Sequence, residues 1–219
     1  MFRLPREATL FREGDPAELV FEVTSGIVRR CRVLRDGRRA IIGFAFPGDV
    51  IGLWASGVHG NAAEAITRCE LRSYSRAAVT QLLDLVPQFA AQMRASISEE
   101  LRAQQDHMLL LGRKTALERV ATFLLWFVER VPKDSHEERP PRPARVDFPL
   151  PRSDMADYLG LTTETVCRIM TVLKQAAVID LPSPQRLVVL QGKALKDIAE
   201  GRAGSLPEPA RISRQQLSA

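Results

Sequence analysis

Three neighbouring side chains have the chemistry needed to read the edges of DNA bases. Glu164 and Arg168 are four residues apart, so in a helix they share one face, and Cys167 lies beside them. An arginine can donate two hydrogen bonds to guanine, and a glutamate can accept one from the amino group of cytosine. Each residue also has a simpler explanation, since Glu164 can offset a helix dipole, Arg168 can contact phosphates, and Cys167 can be a small contact residue. The pattern predicts a helix whose outer face contacts DNA bases.

The residues from 152 to 171 have the spacing of two short helices that cross at a steep angle. Ala156 lies at the predicted crossing, where a larger side chain would push the helices apart. Gly160 follows in the turn, where it can adopt a positive φ at little cost. An ordinary helical hairpin is the alternative, but the combination favours a helix-turn-helix. The positions expected to face inward are Met155, Leu159, Leu161, Val166, Ile169 and Met170.

The helix caps and a following hairpin supply candidate contacts to the DNA backbone. Ser153 is the expected N-cap of the first helix, and Thr162 or Thr163 is the expected N-cap of the second. Beyond them, residues 178–181 and 187–190 predict two strands around the segment P-S-P-Q-R, so the domain is expected to be a winged helix. The predicted backbone contacts are Ser153, Thr162, Thr163 and Arg186.

Three other segments of the C-terminal half predict a supporting helix, a loop and a loose tail. A capping box, T-A-L-E, begins a helix at Thr115 that runs to about Val131 and packs under the DNA-binding pair. The charged, proline-rich stretch 132–149 predicts an exposed loop with a short strand at 145–148. The tail after Gly201 is polar and is expected to be loosely ordered.

A long helix is predicted from 88 to 111, and one of its faces has heptad spacing. Such a seam buries most simply against the same helix of a second subunit, which predicts a homodimer. The alternative is that the helix packs on its own β domain. The predicted seam residues are Ile97, Leu101, Gln104, Met108 and Leu111, with Gln104 as a polar residue that sets the register.

The N-terminal region predicts an antiparallel β domain. Short apolar runs between residues 10 and 71 alternate with turn signals, and Asp36-Gly37 is a strong hairpin signal. Regular turn spacing in so short a span favours a barrel, roll or jelly-roll. We therefore predict an α+β chain in three parts, a β-roll at 1–86, a dimerisation helix at 87–112 and a winged helix-turn-helix domain at 113–219.

Composition excludes several classes of protein. The 219 residues are 45% hydrophobic and carry a net charge of +5, which suits a partner with phosphates. No run is long enough to cross a membrane and the N-terminus lacks an apolar signal core, so a cytoplasmic protein is expected. Three scattered cysteines predict free thiols and no metal site. The sequence has no nucleophile elbow or phosphate loop, and the histidines at 59, 107 and 136 are far apart, so neither an enzyme nor a cofactor is expected.

Several segments together resemble the superfamily of the cyclic-AMP receptor protein and FNR, which are bacterial transcription regulators. The resemblance covers nearly the whole chain and rests on F-R-E-G-D-P, V-T-S-G-I-V-R, F-P-G-D-V-I-G-L, L-G-R-K-T-A-L-E-R-V-A-T-F-L-L and L-P-R-S-D-M-A-D-Y-L-G-L-T-T-E-T-V-C-R. The last two segments look most like the FixK and FNR branch. The recognition helix of that branch carries Glu and, four residues later, Arg after Ser. Here Glu164 and Arg168 match, and Cys167 replaces the Ser.

This resemblance implies a homodimer that binds a palindrome like TTGA-N6-TCAA on double-stranded DNA. It also implies an activator that recruits RNA polymerase to promoters of low-oxygen or respiratory genes.

The departures from the family concern the signal that the protein senses. No cysteine precedes Cys31, so the iron–sulfur cluster of FNR is not expected. After P-G-D the chain has Asn61 and Ala62 where cyclic-AMP-binding members carry an arginine and Ser or Thr, so a cyclic phosphate would lack a guanidinium partner. His59, alone in a loop, is expected to be an exposed polar residue rather than a haem ligand. Cys167 is thus the candidate redox sensor, and the alternative is a regulator switched by an unidentified small molecule in the β-roll.

Overall fold

The computed structural model of the chain describes residues 1–53, 57–131 and 144–202. It divides into two compact units, Met1–Gly112 and Arg113–Ala219. Residues 132–143 of the loop predicted at 132–149, and the predicted loose tail beyond Arg202, lie outside the described residues.

The first unit contains eight described strands in two antiparallel sheets, which confirms the predicted β-roll. One sheet has the strand order β1-β8-β3-β6 and the other the order β2-β7-β4-β5. The strands are β1 Phe2–Leu4, β2 Thr9–Phe11, β3 Leu19–Ser25, β4 Val28–Val33, β5 Arg39–Ala45, β6 Val50–Ile51, β7 Ala62–Ala65 and β8 Cys69–Ser75.

Alternating side chains fill the core of the roll. In β3, Phe21 and Val23 are buried while Glu22 between them is half-buried, as the period of a strand requires. The predicted hairpin joins β4 to β5, and Gly37 takes a φ of 84° in its turn. The core cluster consists of Leu4, Phe11, Phe21, Val23, Val28, Ala45, Ile51, Ala63, Ala65, Cys69 and Leu71.

Two arginines in the roll are bound closely to acids or to carbonyls. Arg29 is 7% exposed and donates to the carboxylates of Glu7 at 2.7 Å and Glu64 at 2.8 Å. Arg76 donates to the carbonyls of Ala17, Gly52 and Leu53. These charge-assisted bonds satisfy groups that would otherwise be costly to bury.

His59 is buried, so the expectation of an exposed loop residue is wrong. It is 4% exposed, and its ring stacks on Phe11 with 3.6 Å between the ring centroids. Burial lowers the pKa of His59, the charge of Arg76 lowers it further, and Asp15 opposes both. A histidine that stacks on an aromatic ring can be buried in its neutral form. The polar sequence around His59 gave no sign of this burial.

Two helices, α1 (Arg76–Leu85) and α2 (Pro87–Arg113), follow the roll. Ser75 caps α1, and Pro87 occupies the first position of α2, where its missing N–H is no loss. The α2 helix is longer than the predicted 88–111, and Leu110 is its one buried residue. Arg30 of β4 is bound to α2 through a hydrogen bond of 2.7 Å to the carboxylate of Glu100.

The second unit has four described helices and one three-stranded sheet. The helices are α3 Ala116–Arg130, α4 Arg152–Leu159, α5 Thr163–Gln175 and α6 Gly192–Ala199. The strands are β9 Ala144–Asp147, β10 Ile179–Ser183 and β11 Arg186–Val189, in the order β10-β11-β9. The predicted capping box is present at the start of α3, between Thr115 and Glu118. The helix α6 was not predicted, although its buried Leu195, Ile198 and Ala199 have the i, i+3, i+4 spacing of a helix and could have revealed it.

No helix in the described parts of the chain is both long and apolar enough to span a membrane. The same residues contain no group of three His, Cys, Asp or Glu side chains that could hold a metal ion.

Candidate nucleic-acid interface

The helices α4 and α5 form the predicted helix-turn-helix. Ala156 is 2% exposed, and Met155 and Val166 are fully buried. Gly160 ends α4 with φ 61° and ψ 40°, the left-handed conformation that glycine adopts without strain. The N–H of Leu161 then donates to the carbonyl of Ala156 at 3.0 Å, which closes the turn.

The caps of the two helices differ from each other. Thr162 caps α5 as predicted, because its hydroxyl accepts from the N–H of Thr165 at 3.1 Å. Ser153 does not cap α4, so that prediction is wrong. Pro151 occupies the cap position with an extended ψ of 145° and no side-chain bond, and Ser153 is an exposed residue of the first turn. The fixed φ of proline lets the helix begin at the very next residue, which places Ser153 two positions beyond the cap.

The outer face of α5 presents the side chains predicted to read bases. Glu164, Cys167 and Arg168 are exposed, and Glu164 and Arg168 are separated by about 6 Å along the helix axis. Within the described residues, neither side chain makes a hydrogen bond or an ion pair. The opposite face, with Val166, Met170 and Leu173, is buried. Burial of one face thus fixes the direction in which the polar face points.

The candidate backbone contacts flank this face. Thr162 and Thr163 lie at the N-terminus of α5, where exposed N–H groups and the helix dipole favour phosphate. Arg186 is at the start of β11 in the wing, and 61% of its side chain is exposed. Its guanidinium lies 3.4 Å from the carboxylate of Asp147, so a phosphate would have to replace this ion pair.

Near Cys167 of α5 lies Arg152, a residue with no role predicted from the sequence. Its guanidinium lies 5.2 Å from the ring centroid of Phe148 and donates to the sulfur of Met155 at 3.4 Å. Burial lowers the pKa of Arg152, while the nearby Cys167 raises it. Arg152 therefore lies within electrostatic reach of the thiol, fifteen residues away along the chain, a distance at which sequence gives no signal of proximity.

Asp154, in the first turn of α4, was also missed. It is 1% exposed, and its position near the helix N-terminus favours a negative charge. A buried acid next to Met155 and Ala156 breaks the hydrophobic pattern, so its burial could not be predicted from the spacing of apolar residues.

Two family models match most of the chain. The model of the Crp-like helix-turn-helix domain matches residues 118–198, which include α4, α5 and the wing hairpin. The model of the Cyclic nucleotide-binding domain matches residues 1–85, which include the β-roll.

Individual proteins are similar over nearly the same span. The nitrogen fixation regulation protein FixK of Azorhizobium caulinodans is 38% identical over 192 residues, covering 87% of this chain and 75% of the relative. The transcriptional activatory protein AadR of Rhodopseudomonas palustris is 36% identical over 195 residues, covering 89% of this chain and 79% of the relative. The structure of FixK2 from Bradyrhizobium japonicum superposes with a TM-score of 0.82 at 37% identity, covering 90% of this chain and 95% of that one. The chain therefore belongs to the FixK branch of the CRP/FNR superfamily, and it is a DNA-binding transcription regulator.

Proposed function

We propose that this regulator binds a TTGA-N6-TCAA-like palindrome as a homodimer, with Glu164, Cys167 and Arg168 contacting base edges. The observation that carries the proposal is the exposed pair of Glu164 and Arg168, which have no partner among the described residues. Side chains that are held on one face but not bound within the protein are available to bases. Ser153, Thr162, Thr163 and Arg186 would contact the backbone and fix the register without reading sequence.

Selection of bound sequences from random DNA tests this assignment. We expect the wild-type protein to recover a palindrome with TTGA-like half-sites. Glu164→Ala and Arg168→Ala should each relax the choice at one position of the half-site, because each removes the partner of one base. An unrelated half-site would contradict the residue assignments, and selection of no specific DNA would contradict the function.

The exposed face of α2 supports the homodimer. Leu101 and Met108 are 59% and 67% exposed, and they are separated by one heptad. Gln104 between them is also exposed, and Ile97 and Leu111 extend the apolar face by about one turn at each end. Apolar side chains in such a row are stabilised when a second copy covers them.

A charge on this face should therefore separate the subunits. We expect Leu101→Glu to shift the protein from dimer to monomer in sedimentation velocity. Leu109→Glu is the matched control, because Leu109 is 61% exposed but lies about 100° around the helix from Met108. Dissociation by both variants, or by neither, would contradict the proposed seam.

Cys167 is the proposed redox sensor. It is exposed, whereas Cys31 and Cys69 are buried. Its thiolate would attack one oxygen of hydrogen peroxide, break the O–O bond and release hydroxide, so that sulfur is oxidised to sulfenic acid and peroxide is reduced to water. Added bulk, and negative charge after further oxidation, would then face the DNA and weaken binding.

Peroxide treatment followed by a DNA-binding titration tests this step. We expect the wild-type protein to lose affinity and Cys167→Ser to keep it. Equal losses in the two proteins, or no loss in either, would rule out Cys167 as the sensor.

Resemblance to the family also supports a role in activating transcription. In this proposal the roll (1–86), the dimerisation helix (87–112) and the DNA-binding domain (113–219) act together to recruit RNA polymerase at promoters of low-oxygen or respiratory genes. Transcription in vitro from a promoter with the selected palindrome tests it. We expect transcript to increase with the regulator, and a decrease would indicate a repressor.

A second candidate function keeps DNA binding but makes it depend on a small molecule in the β-roll. The match to the cyclic nucleotide-binding domain and one buried atom favour it, since Oδ1 of Asn61 accepts no hydrogen bond from the described residues. Against a cyclic phosphate, the guanidinium of Arg76 already donates to carbonyls. Thermal unfolding with cyclic AMP or cyclic GMP is the test, because a ligand of the folded state raises the melting temperature. An unchanged melting temperature would exclude the nucleotide used.

A further inference from the structure

The connection between α2 and the DNA-binding unit is very short. The α2 helix ends at Arg113, and α3 begins at Ala116 with Thr115 as its N-cap. Lys114 is therefore the one residue between the last helical residue of α2 and the cap of α3. Lys114 is thus the point at which the chain passes from α2 into the second unit.

Both the side chain and the carbonyl of Lys114 are bound within the unit. Its ammonium group donates to the hydroxyl of Thr122 at 2.8 Å and to the carbonyl of Ala199, the last residue of α6, at 2.9 Å. Its carbonyl accepts from Nε of Arg119 at 3.0 Å. Thr122 in turn donates to the carbonyl of Glu118, so it is fixed along α3.

Arg119 links Lys114 to the helix-turn-helix. While its Nε binds the carbonyl of Lys114, its Nη1 donates to the carbonyl of Leu159 at 3.0 Å. Leu159 is the last residue of α4, and Gly160 follows it in the turn that leads to α5. The last carbonyls of a helix have no partner inside the helix and favour a positive charge. A planar guanidinium can satisfy two such carbonyls at once in a fixed geometry.

From these contacts we infer that Lys114 and Arg119 form a clasp that sets the spacing between the two half-sites that the dimer accepts. The clasp fixes the residue that follows α2 to the turn that precedes the recognition helix. Arg119 acts through this turn and does not need to contact DNA, so it is a positioning residue. The inference rests on the proposed dimeric reader, since only a protein that reads two half-sites can select their spacing.

The number of base pairs between the half-sites sets both their separation and their relative rotation about the DNA axis. One additional base pair rotates the second half-site by about 35° around the DNA axis and moves it by about 3.4 Å. A rigid entry into the DNA-binding unit penalises that change, whereas a loosened entry tolerates it. Loss of the clasp should therefore reduce the discrimination between spacings, a quantity that depends little on the contact of one half-site with DNA.

The test is a set of binding titrations with full-length protein on three duplexes. They carry the selected operator, or the same half-sites with one base pair fewer or one more between them. For Arg119→Met, we expect the ratio of affinities between the selected and altered spacings to fall by about 2- to 30-fold, the usual range for residues that couple two sites. Lys114→Met should shift the ratio in the same direction. Arg102→Met is the control, because it removes one exposed positive charge from α2 without touching the clasp.

The outcomes separate the clasp from the proposed function. Sharp spacing preference in the wild type that Arg119→Met retains would overturn the clasp alone. If Arg119→Met does not fold, Lys114→Met decides the question, and a wild-type ratio in that variant would overturn the clasp. A wild type that binds all three spacings equally would overturn the dimeric reader and the clasp together.

Discussion

The arginines of the β-roll and the arginine of the recognition helix are used in opposite ways. In the roll, Arg29 binds two carboxylates and Arg76 binds three carbonyls, so their charges are neutralised or satisfied inside the protein. Arg168 on α5 is exposed, and it has no such partner within the described residues. The net positive charge of the chain therefore overstates the charge that can bind an anionic ligand, because only arginines without an internal partner are available to it.

Removal of Arg168 should give the largest effect on function. We expect Arg168→Ala to cost about 1–3 kcal/mol of DNA-binding free energy at each half-site, and twice that in the dimer, because a bidentate contact to a base would be lost. Fluorescence anisotropy at fixed salt measures the change, and Arg102→Ala controls for the loss of one positive charge.

Titrations on the selected operator and on random DNA distinguish a base contact of Arg168 from a phosphate contact. A base contact predicts a large loss on the selected operator and a small loss on random DNA. Equal losses on both would show that Arg168 contacts phosphate, and the assignment of this residue as a base reader would then be wrong.

An arginine of the roll should behave in the opposite way, with an effect on stability rather than on DNA binding. We expect Arg29→Met to lower the free energy of unfolding of the roll by about 1.5–3 kcal/mol, because two charge-assisted hydrogen bonds are lost. Urea unfolding followed by circular dichroism measures this change, and hydrogen exchange of the β4 amides localises it. DNA affinity of the folded variant should be unchanged.

Arg38→Met is the matched control for this prediction. Arg38 also forms an ion pair, with Asp36 at 2.8 Å, but 77% of its side chain is exposed. Exposed pairs contribute little, so we expect no measurable change in the free energy of unfolding. Similar losses in the two variants would show that burial of Arg29 does not matter.

The amino-acid sequence predicted those parts of the structure that local chemistry determines. The helix-turn-helix, the capping box at Thr115 and the hairpin at Asp36-Gly37 each depend on residues within a few positions of one another, so pattern and turn chemistry were sufficient. Ser153 shows the limit of this reasoning, since a suitable capping residue was present but the preceding proline began the helix earlier. Contacts between distant residues left no such signal. His59 on Phe11 and Arg119 on the carbonyl of Leu159 are produced by the tertiary fold, and neither spacing nor composition predicts them.

Arg152 lies between these two cases, since its guanidinium is bound within the protein but lies near the exposed thiol of Cys167. Its guanidinium is held by Phe148 and Met155, and burial lowers the pKa of Arg152 while the nearby Cys167 raises it. We expect Arg152→Met to slow the reaction of Cys167 with the anion iodoacetate by roughly 1.4- to fivefold, the size of a charge interaction of about 0.2–1 kcal/mol near the surface, because the guanidinium attracts the reagent.

The rate should be measured at several salt concentrations on the folded protein, because Cys31 and Cys69 are buried there and Cys167 is exposed. The difference between wild type and Arg152→Met should shrink as salt rises, because screening weakens an interaction between partly exposed charges. Lys193→Met serves as the control, since it removes an exposed charge from α6. Equal rates in wild type and Arg152→Met would show that Arg152 only supports the packing of α4. The reactivity of the proposed sensor would then have to come from its neighbour Arg168, and removing that residue would slow alkylation and weaken DNA binding together.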